Sequence, residues 1–205
     1  WQRNIRNVFG QVADVPGADS YLVAGDLVDG RWHRDRYASG VFGPGRTQRQ
    51  QLARITTAAD VYYREWKRFW REAGVSPDRV HTAVGDHEVG DNPWIPGELK
   101  FTAFERFKRA YAARFTLTEG RHRYREHPRG TKFDDTAYAT YLHPKVLLVT
   151  VDVFDRTRRG VDATVNHGQL AWLDRTLAAV PEDVTVLVQG HTPVLTPARQ
   201  PSSSG

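Results

Sequence analysis

The sequence predicts a mixed α/β fold, and two observations support this class. Stretches with apolar residues at helical spacing alternate with short runs of β-branched and aliphatic residues, an order typical of layered α/β domains. Three of these runs, in residues 20–30, 80–88 and 184–194, end in a glycine followed at once by an aspartate or a histidine. Because open α/β sheets gather their ligands at the carboxyl ends of strands, we expect these polar side chains to meet there.

The helices are predicted from the spacing of their apolar residues. The first is expected from about Gln2 to Val12, and a long one from Thr47 to Ala73, closed by Gly74. Aromatic and aliphatic side chains of the long helix recur every three or four residues, so this face is expected to pack against the sheet. Further helices are predicted from Phe101 to Phe115 and from Gly168 to Val180.

The strands are predicted from short apolar runs bounded by turn residues. They span Ser20–Ala24, Val80–Val84, Thr136–Leu142, Lys145–Val151 and Val184–Gln189. His143 and Pro144 are expected to form a hairpin turn between the third and fourth of these strands. Residues 118–133 are polar and basic and predict a surface excursion, and a loop is expected from residue 152 to Asn166.

Composition indicates a globular domain and leaves the partners open. With 205 residues, 26% charged and 40% hydrophobic, the chain is expected to form one domain over residues 1–205. No apolar run is long enough to span a bilayer. The net charge of +5, from 29 Lys and Arg against 24 Asp and Glu, would attract phosphoesters or nucleic acid, but charge alone favours the interpretation without a specific partner. Because there is no cysteine, any zinc must be held by histidine and carboxylate.

The residues after the three glycines carry the chemistry of a metal-dependent hydrolase. Asp26 has two oxygens and can bridge two cations, Asp86 offers a further oxygen ligand, and His191 a nitrogen ligand. His87 is a candidate general acid, and Asp29 could orient its ring. Each residue alone also has an ordinary interpretation: Asp26 as a turn cap, His87 as an exposed loop residue and His191 as a buried, hydrogen-bonded histidine.

The three segments resemble motifs of the calcineurin-like metallophosphoesterase superfamily, on the sequences GDLVDG, GDHE and GHTPV. The resemblance implies that Asp26 bridges two metal ions and that Asp86 and His191 are further metal ligands. It also implies that Asp29 pairs with the catalytic His87. The acid after that histidine is a supporting residue in the family, which implies the same for Glu88.

The resemblance also implies an architecture and an activity. The expected fold is a four-layer α/β/β/α sandwich with mixed sheets, of which the chain would be the central portion. The expected activity is phosphoester hydrolysis, by a phosphatase or a phosphodiesterase, with two metal ions such as Mn, Zn or Fe. A hydroxide that bridges the metals would attack phosphorus in line while His87 protonates the leaving oxygen. The sequence does not indicate the substrate, its binding residues, the localisation or the oligomeric state.

The chain departs from the family pattern in three ways. No Asp-x-His motif precedes Asp26 and no Gly-His-x-His motif follows His191, so the chain is expected to be an excerpt of a longer protein. Asp86 stands where the family usually has Asn, and its charge should raise the pKa of metal-bound water. Gly30 stands where many protein phosphatases have a phosphate-binding Arg, and Arg31 is one residue late, so protein phosphatase activity is not expected.

Two alternatives to a phosphatase or phosphodiesterase remain open from the sequence. One is a catalytically silent module of the same fold that binds a partner or nucleic acid, and the other is a nuclease with the same metal site. Two residues outside the motifs are also open. Asp152 is expected to cap or hydrogen-bond a strand end rather than bind metal. Trp94 either lines the mouth of the site or anchors its loop.

Overall fold

The computed structural model describes residues 2–30, 32 and 42–192, and it confirms the mixed α/β class. The helices are α1 (Gln2–Ala13), α2 (Gln48–Glu72), α3 (Leu99–Thr102), α4 (Phe104–Phe115) and α5 (His167–Ala178). The strands are β1 (Tyr21–Val23), β2 (Val80–Thr82), β3 (Leu117–Thr118), β4 (Arg121–His122), β5 (Tyr138–His143), β6 (Val146–Thr150), β7 (Phe154–Arg156), β8 (Val161–Ala163) and β9 (Thr185–Gln189). Within this part of the chain, no helix has the length and apolar character needed to cross a membrane.

Two small sheets position the strand ends that the sequence singles out. β1 and β2 pair in parallel, while β6 pairs antiparallel with β5 on one side and parallel with β9 on the other. The Gln189 side chain joins the two sheets, because its amide nitrogen donates a hydrogen bond to the Val23 carbonyl over 2.6 Å. The carboxyl ends of β1, β2 and β9 therefore lie side by side.

The long helix α2 forms as its sequence predicts. Thr47 caps its first turn in a capping box with Gln50, which satisfies backbone donors that a helix start leaves open. Its buried face contributes to a cluster that we call the aromatic layer. The aromatic layer consists of Phe9, Tyr21, Tyr63, Trp66, Trp70 and Phe115. Its rings contact one another edge-on, tilted or stacked between α1, α2, α4 and β1, so the predicted helical face is confirmed as core.

Three local predictions need correction. The segment predicted as a loop up to Asn166 contains a hairpin, β7 and β8, whose three-residue strands are too short to show alternation. The predicted surface excursion contains the hairpin β3 and β4, and it buries Tyr124 and Phe133. The predicted helix from Phe101 is two helices with Ala103 between them.

Candidate metal centre

Close contact between glycines brings the ends of β1 and β2 together. Gly25 adopts a φ of +95°, and a Cβ atom there would lie 2.6 Å from the Gly85 Cα atom. A Cβ atom on Gly85 would lie 2.4 Å from both the backbone nitrogen and the Oδ1 atom of Asp26. Neither position can therefore accept a larger residue without a backbone shift. Two of the recurring glycines in the sequence, Gly25 and Gly85, are thus a geometric requirement of this edge.

The three predicted metal ligands meet at this edge. One ligand atom from each of Asp26, Asp86 and His191 lies within 4.8 Å of the other two. The His191 Nε2 atom lies 3.0 Å from Asp86 Oδ1 and 3.6 Å from Asp26 Oδ1. On the other side of the ring, His191 Nδ1 lies 2.6 Å from the Ala24 carbonyl oxygen, which can only accept a hydrogen bond. This contact fixes a proton on Nδ1 and turns Nε2 toward the carboxylates, where it would offer its lone pair to a metal ion after losing its own proton.

The donor set suits a first-row divalent metal. Two carboxylates and one imidazole are ligands that manganese, iron and zinc all accept, and nothing in the set selects among them. Asp26 has a φ of +55°, a left-handed conformation that is uncommon for a residue with a side chain and that concentrates at functional sites. The residues present therefore fit a metal ion both in chemistry and in spacing.

Electrostatics hold this cluster in a charged state. Burial opposes protonation of His191, but its hydrogen bonds with Asp86 and the Ala24 carbonyl outweigh burial and raise the pKa of His191 to about 9. Burial also opposes ionisation of Asp86, yet hydrogen bonds from His191 and Asn92 hold the pKa of Asp86 below its usual value. Burial raises the pKa of Asp26, against the opposing charge of His191. The protonated ring of His191 therefore places a positive charge beside the carboxylates of Asp86 and Asp26, where a cation is favourable.

His87 lies beside the cluster, next to both of its predicted acidic neighbours. Its Nδ1 atom is 3.6 Å from Asp29 Oδ1, and its Nε2 atom is 4.0 Å from Asp26 Oδ2. These distances are too long for hydrogen bonds and are those of a loose ion pair. The Asp29 side chain is 66% exposed, whereas that of His87 is 24% exposed. The predicted pair is thus adjacent but not hydrogen-bonded.

Glu88 connects the two loops that carry the aspartates. It is fully buried, and its Oε2 atom accepts hydrogen bonds from the backbone N–H groups of Asp26 and Gly85 at 2.7 and 2.8 Å. Its Oε1 atom accepts a third, from Leu27, at 2.9 Å. Burial raises the pKa of Glu88 to about 7, although these amides favour its ionised form. The side chain predicted as supporting therefore bridges the ends of β1 and β2.

Sequence reasoning missed two residues near this centre, Asp91 and Asn92. Asp86, His87 and Asp91 form a second group whose ligand atoms lie within 4.8 Å of one another. The Asn92 Nδ2 atom donates a hydrogen bond to Asp86 Oδ2 over 2.7 Å. The signal in the sequence is Gly90 followed by Asp91, a pair typical of turns. In the structure the two residues form a turn, with φ angles of +92° and +63°. Such a turn folds the chain back on the residues just before it.

The residues left open outside the motifs have structural roles. Asp152 is fully buried, pairs with Lys108 at 2.6 Å and accepts a hydrogen bond from the Phe154 backbone, as predicted for a capping residue. Trp94 donates to the Val89 carbonyl and packs against Phe154, so it anchors its loop. Two further positions from the sequence analysis, Arg31 and Pro193, lie outside the described residues.

A family model described as calcineurin-like phosphoesterase matches residues 2–204 of the chain. The chain belongs to this calcineurin-like phosphoesterase family. The resemblance predicted from its three motifs is thereby confirmed, and the mixed α/β structure agrees with the fold of a metallophosphoesterase. Membership of this phosphoesterase family indicates metal-dependent hydrolysis of phosphoric esters. Searches of curated proteins and of solved structures found no match to the chain.

Proposed function

We propose that this protein is a metal-dependent phosphoester hydrolase with a dinuclear centre, in which Asp26, Asp86 and His191 bind metal. The observation that carries the proposal is the convergence of these three side chains, within 4.8 Å, from the ends of three separate strands. Asp26 would hold metal through both of its oxygens, since Oδ1 lies on the side of His191 and Oδ2 on the side of His87, and a second ion would need this second oxygen. Manganese, zinc or iron, when bound, would neutralise the phosphoryl oxygens and activate the attacking water.

The remaining residues move a proton and hold the metal ligands in place. His87 has its Nε2 atom 4.0 Å from Asp26 and is proposed to protonate the leaving oxygen of the ester. Asp29, 3.6 Å from the other ring nitrogen, would orient the ring for this step. Glu88 keeps the loops of Asp26 and Asp86 together, and so fixes the distance between the ligands.

The first experiment is hydrolysis of p-nitrophenyl phosphate and bis-p-nitrophenyl phosphate with added Mn²⁺ or Zn²⁺. We expect metal-dependent turnover that Asp26→Ala and His87→Ala abolish. The substrate that is hydrolysed faster shows whether the protein prefers a monoester or a diester. Asp14→Ala is the matched control, because Asp14 is exposed just after the end of α1 and is not one of the predicted ligands. Turnover in Asp14→Ala should equal that of the unmodified protein.

Two results would assign the protein to another class. A folded protein with no turnover on either substrate, with either metal, would instead be the silent binding module. Cleavage of DNA together with DNA binding that weakens steeply with salt would make it a nuclease, since phosphate contacts release counterions.

A further inference from the structure

Asn92 contacts the oxygen of Asp86 that is not the one bonded to His191. Asp86 is fully buried, and its Oδ1 atom lies 3.0 Å from His191 Nε2. Its Oδ2 atom accepts a hydrogen bond from Asn92 Nδ2 over 2.7 Å. Because an ionised carboxylate only accepts hydrogen bonds, the nitrogen of the Asn92 amide must be the atom that faces it. The two oxygens of Asp86 therefore have separate partners.

The loop around Asn92 is held firmly enough to make this contact specific. The Asp91 backbone nitrogen donates to the Asp86 carbonyl over 2.8 Å, which closes the turn that returns the chain to Asp86. The buried Lys100 donates to the Asp91 carbonyl, and Trp94 donates to the Val89 carbonyl, each over 2.8 Å. Asn92 is thus presented to Asp86 by a turn that is fixed on both sides, as precise placement of a ligand requires.

This contact decides how many oxygens Asp86 can offer to a metal. A carboxylate can bind a cation through one oxygen or through both. With Oδ2 bonded to Asn92, Oδ1 is the oxygen that faces His191, and one oxygen is also the number that an asparagine side chain can offer. The hydrogen bond also spreads the negative charge of the carboxylate toward the amide, so less of it reaches the metal.

We propose that Asn92 is a positioning residue that holds Oδ2 of Asp86, so that Asp86 presents one oxygen to the metal, as an asparagine ligand would. The inference rests on the proposed metal-dependent hydrolysis and names a residue that the three motifs do not contain. It also explains how the centre accommodates an aspartate whose full charge would oppose activation of bound water. Asn92 itself acts through Asp86 and has no assigned contact with substrate.

The test is the visible absorption spectrum of the Co²⁺-loaded protein, together with turnover. In Asn92→Ala, the freed Oδ2 atom should join the cobalt ion, and a higher coordination number lowers the molar absorptivity of the d–d bands. Turnover should fall about 10- to 100-fold, the usual effect of losing a residue that supports a ligand, while cobalt remains bound. Asn7→Ala, an exposed position on α1, is the control and should change neither readout.

A reciprocal exchange separates positioning from a merely structural role. Asn92→Asp alone places two carboxylates against each other and should lose turnover. Asp86→Asn combined with Asn92→Asp restores a hydrogen bond in the opposite direction, so it should recover both the spectrum and most of the turnover. Failure of the double variant to recover either readout, or an unchanged spectrum in Asn92→Ala, overturns the inference.

The outcome for the proposed function is read separately, from the unmodified protein. If that protein binds Co²⁺ and hydrolyses a phosphoester, the proposed function stands even where the Asn92 variants overturn the positioning role. If the unmodified protein binds no Co²⁺, the proposed function and the inference fail together.

Discussion

The aromatic layer and the strand ends of the candidate metal centre are stabilised in different ways. The aromatic layer consists of large side chains, many from one face of α2, that share contacts around Trp66 and Trp70. The strand ends depend on a few exact contacts between residues far apart in the chain, above all the three hydrogen bonds of Glu88. Stability is therefore expected to depend mainly on the aromatic layer, and activity mainly on the strand ends.

The largest loss of stability is expected in the aromatic layer. Trp70→Ala removes a buried indole that contacts Phe9, Tyr21 and Trp66, and should lower the free energy of unfolding by about 3–5 kcal/mol. Urea unfolding measures this loss, and turnover per folded molecule should stay unchanged. Val8→Ala, at a position that is 54% exposed, is the control and should change stability by less than about 0.5 kcal/mol. Equal losses of stability in Trp70→Ala and Val8→Ala would contradict the expectation that stability depends mainly on the aromatic layer.

Gly85→Ala at the strand ends should, unlike Trp70→Ala, abolish turnover as well as lower stability. The added Cβ atom would lie 2.4 Å from Asp26, so the backbone must shift at a cost of about 3 kcal/mol. Because the shift displaces a predicted ligand, turnover should be lost even in the molecules that remain folded. Gly10→Ala on α1 meets nothing within 4 Å and should stabilise the protein by up to about 1 kcal/mol. Retained turnover in a folded Gly85→Ala protein would show that close glycine packing is not required.

Glu88→Gln should weaken the connection between β1 and β2 without adding volume. The new amide nitrogen must face at least one backbone N–H group, so a buried donor loses its acceptor at a cost of about 2 kcal/mol. Mn²⁺ affinity should fall about 10- to 100-fold, because the aspartates lose their fixed spacing. Calorimetric titration measures the affinity, with Glu98→Gln at an exposed position as the control. Parent-like affinity in Glu88→Gln would argue against a connecting role.

The smallest effect is the change in Mn²⁺ affinity that we expect for each unit of pH. His191 has its pKa raised to about 9, so in the metal-free protein it carries a proton at neutral pH that a metal ion must displace. Mn²⁺ affinity should therefore rise about tenfold, or 1.4 kcal/mol, for each pH unit between about 7 and 9, and level off above. The same shift means that His191 stabilises the metal-free fold fully below its unfolded value of 6.5, a contribution lost as pH rises through 9. A flat affinity profile from pH 7 to 9 would contradict a raised pKa at His191.

The sequence predicts the parts of this molecule that repeat a local pattern. Helical spacing predicts α2 and its buried face, and the Gly-Asp and Gly-His signatures predict that Asp26, Asp86 and His191 come together. The first follows from a rule that operates over a few residues, and the second from the rule that open α/β sheets gather ligands at the carboxyl ends of their strands. The hairpin β7–β8 does not follow, because its strands contain only three residues each and include charged positions such as Asp155 and Arg156.

Contacts over long distances explain what the sequence leaves undecided at the centre. The role of Glu88 depends on Asp26 and Leu27, which lie more than 60 residues away along the chain. The role of Asn92 depends on left-handed backbone at Gly90 and Asp91, which side-chain composition suggests as a turn but does not place against Asp86. Such contacts require the assembled fold, because no periodic pattern encodes them.

The central claim is that three strand ends form one metal centre, and Mn²⁺ binding to Asp26→Ala tests it most directly. Isothermal titration at pH 8 would compare this variant with the unmodified protein and with Asp14→Ala, and circular dichroism would confirm that all three are folded. We expect Asp14→Ala to bind Mn²⁺ as tightly as the unmodified protein. The Mn²⁺ affinity of Asp26→Ala should fall by more than about 100-fold, which is the loss typical of a residue that only supports a ligand. Equal Mn²⁺ affinity in Asp26→Ala and Asp14→Ala would contradict the claim.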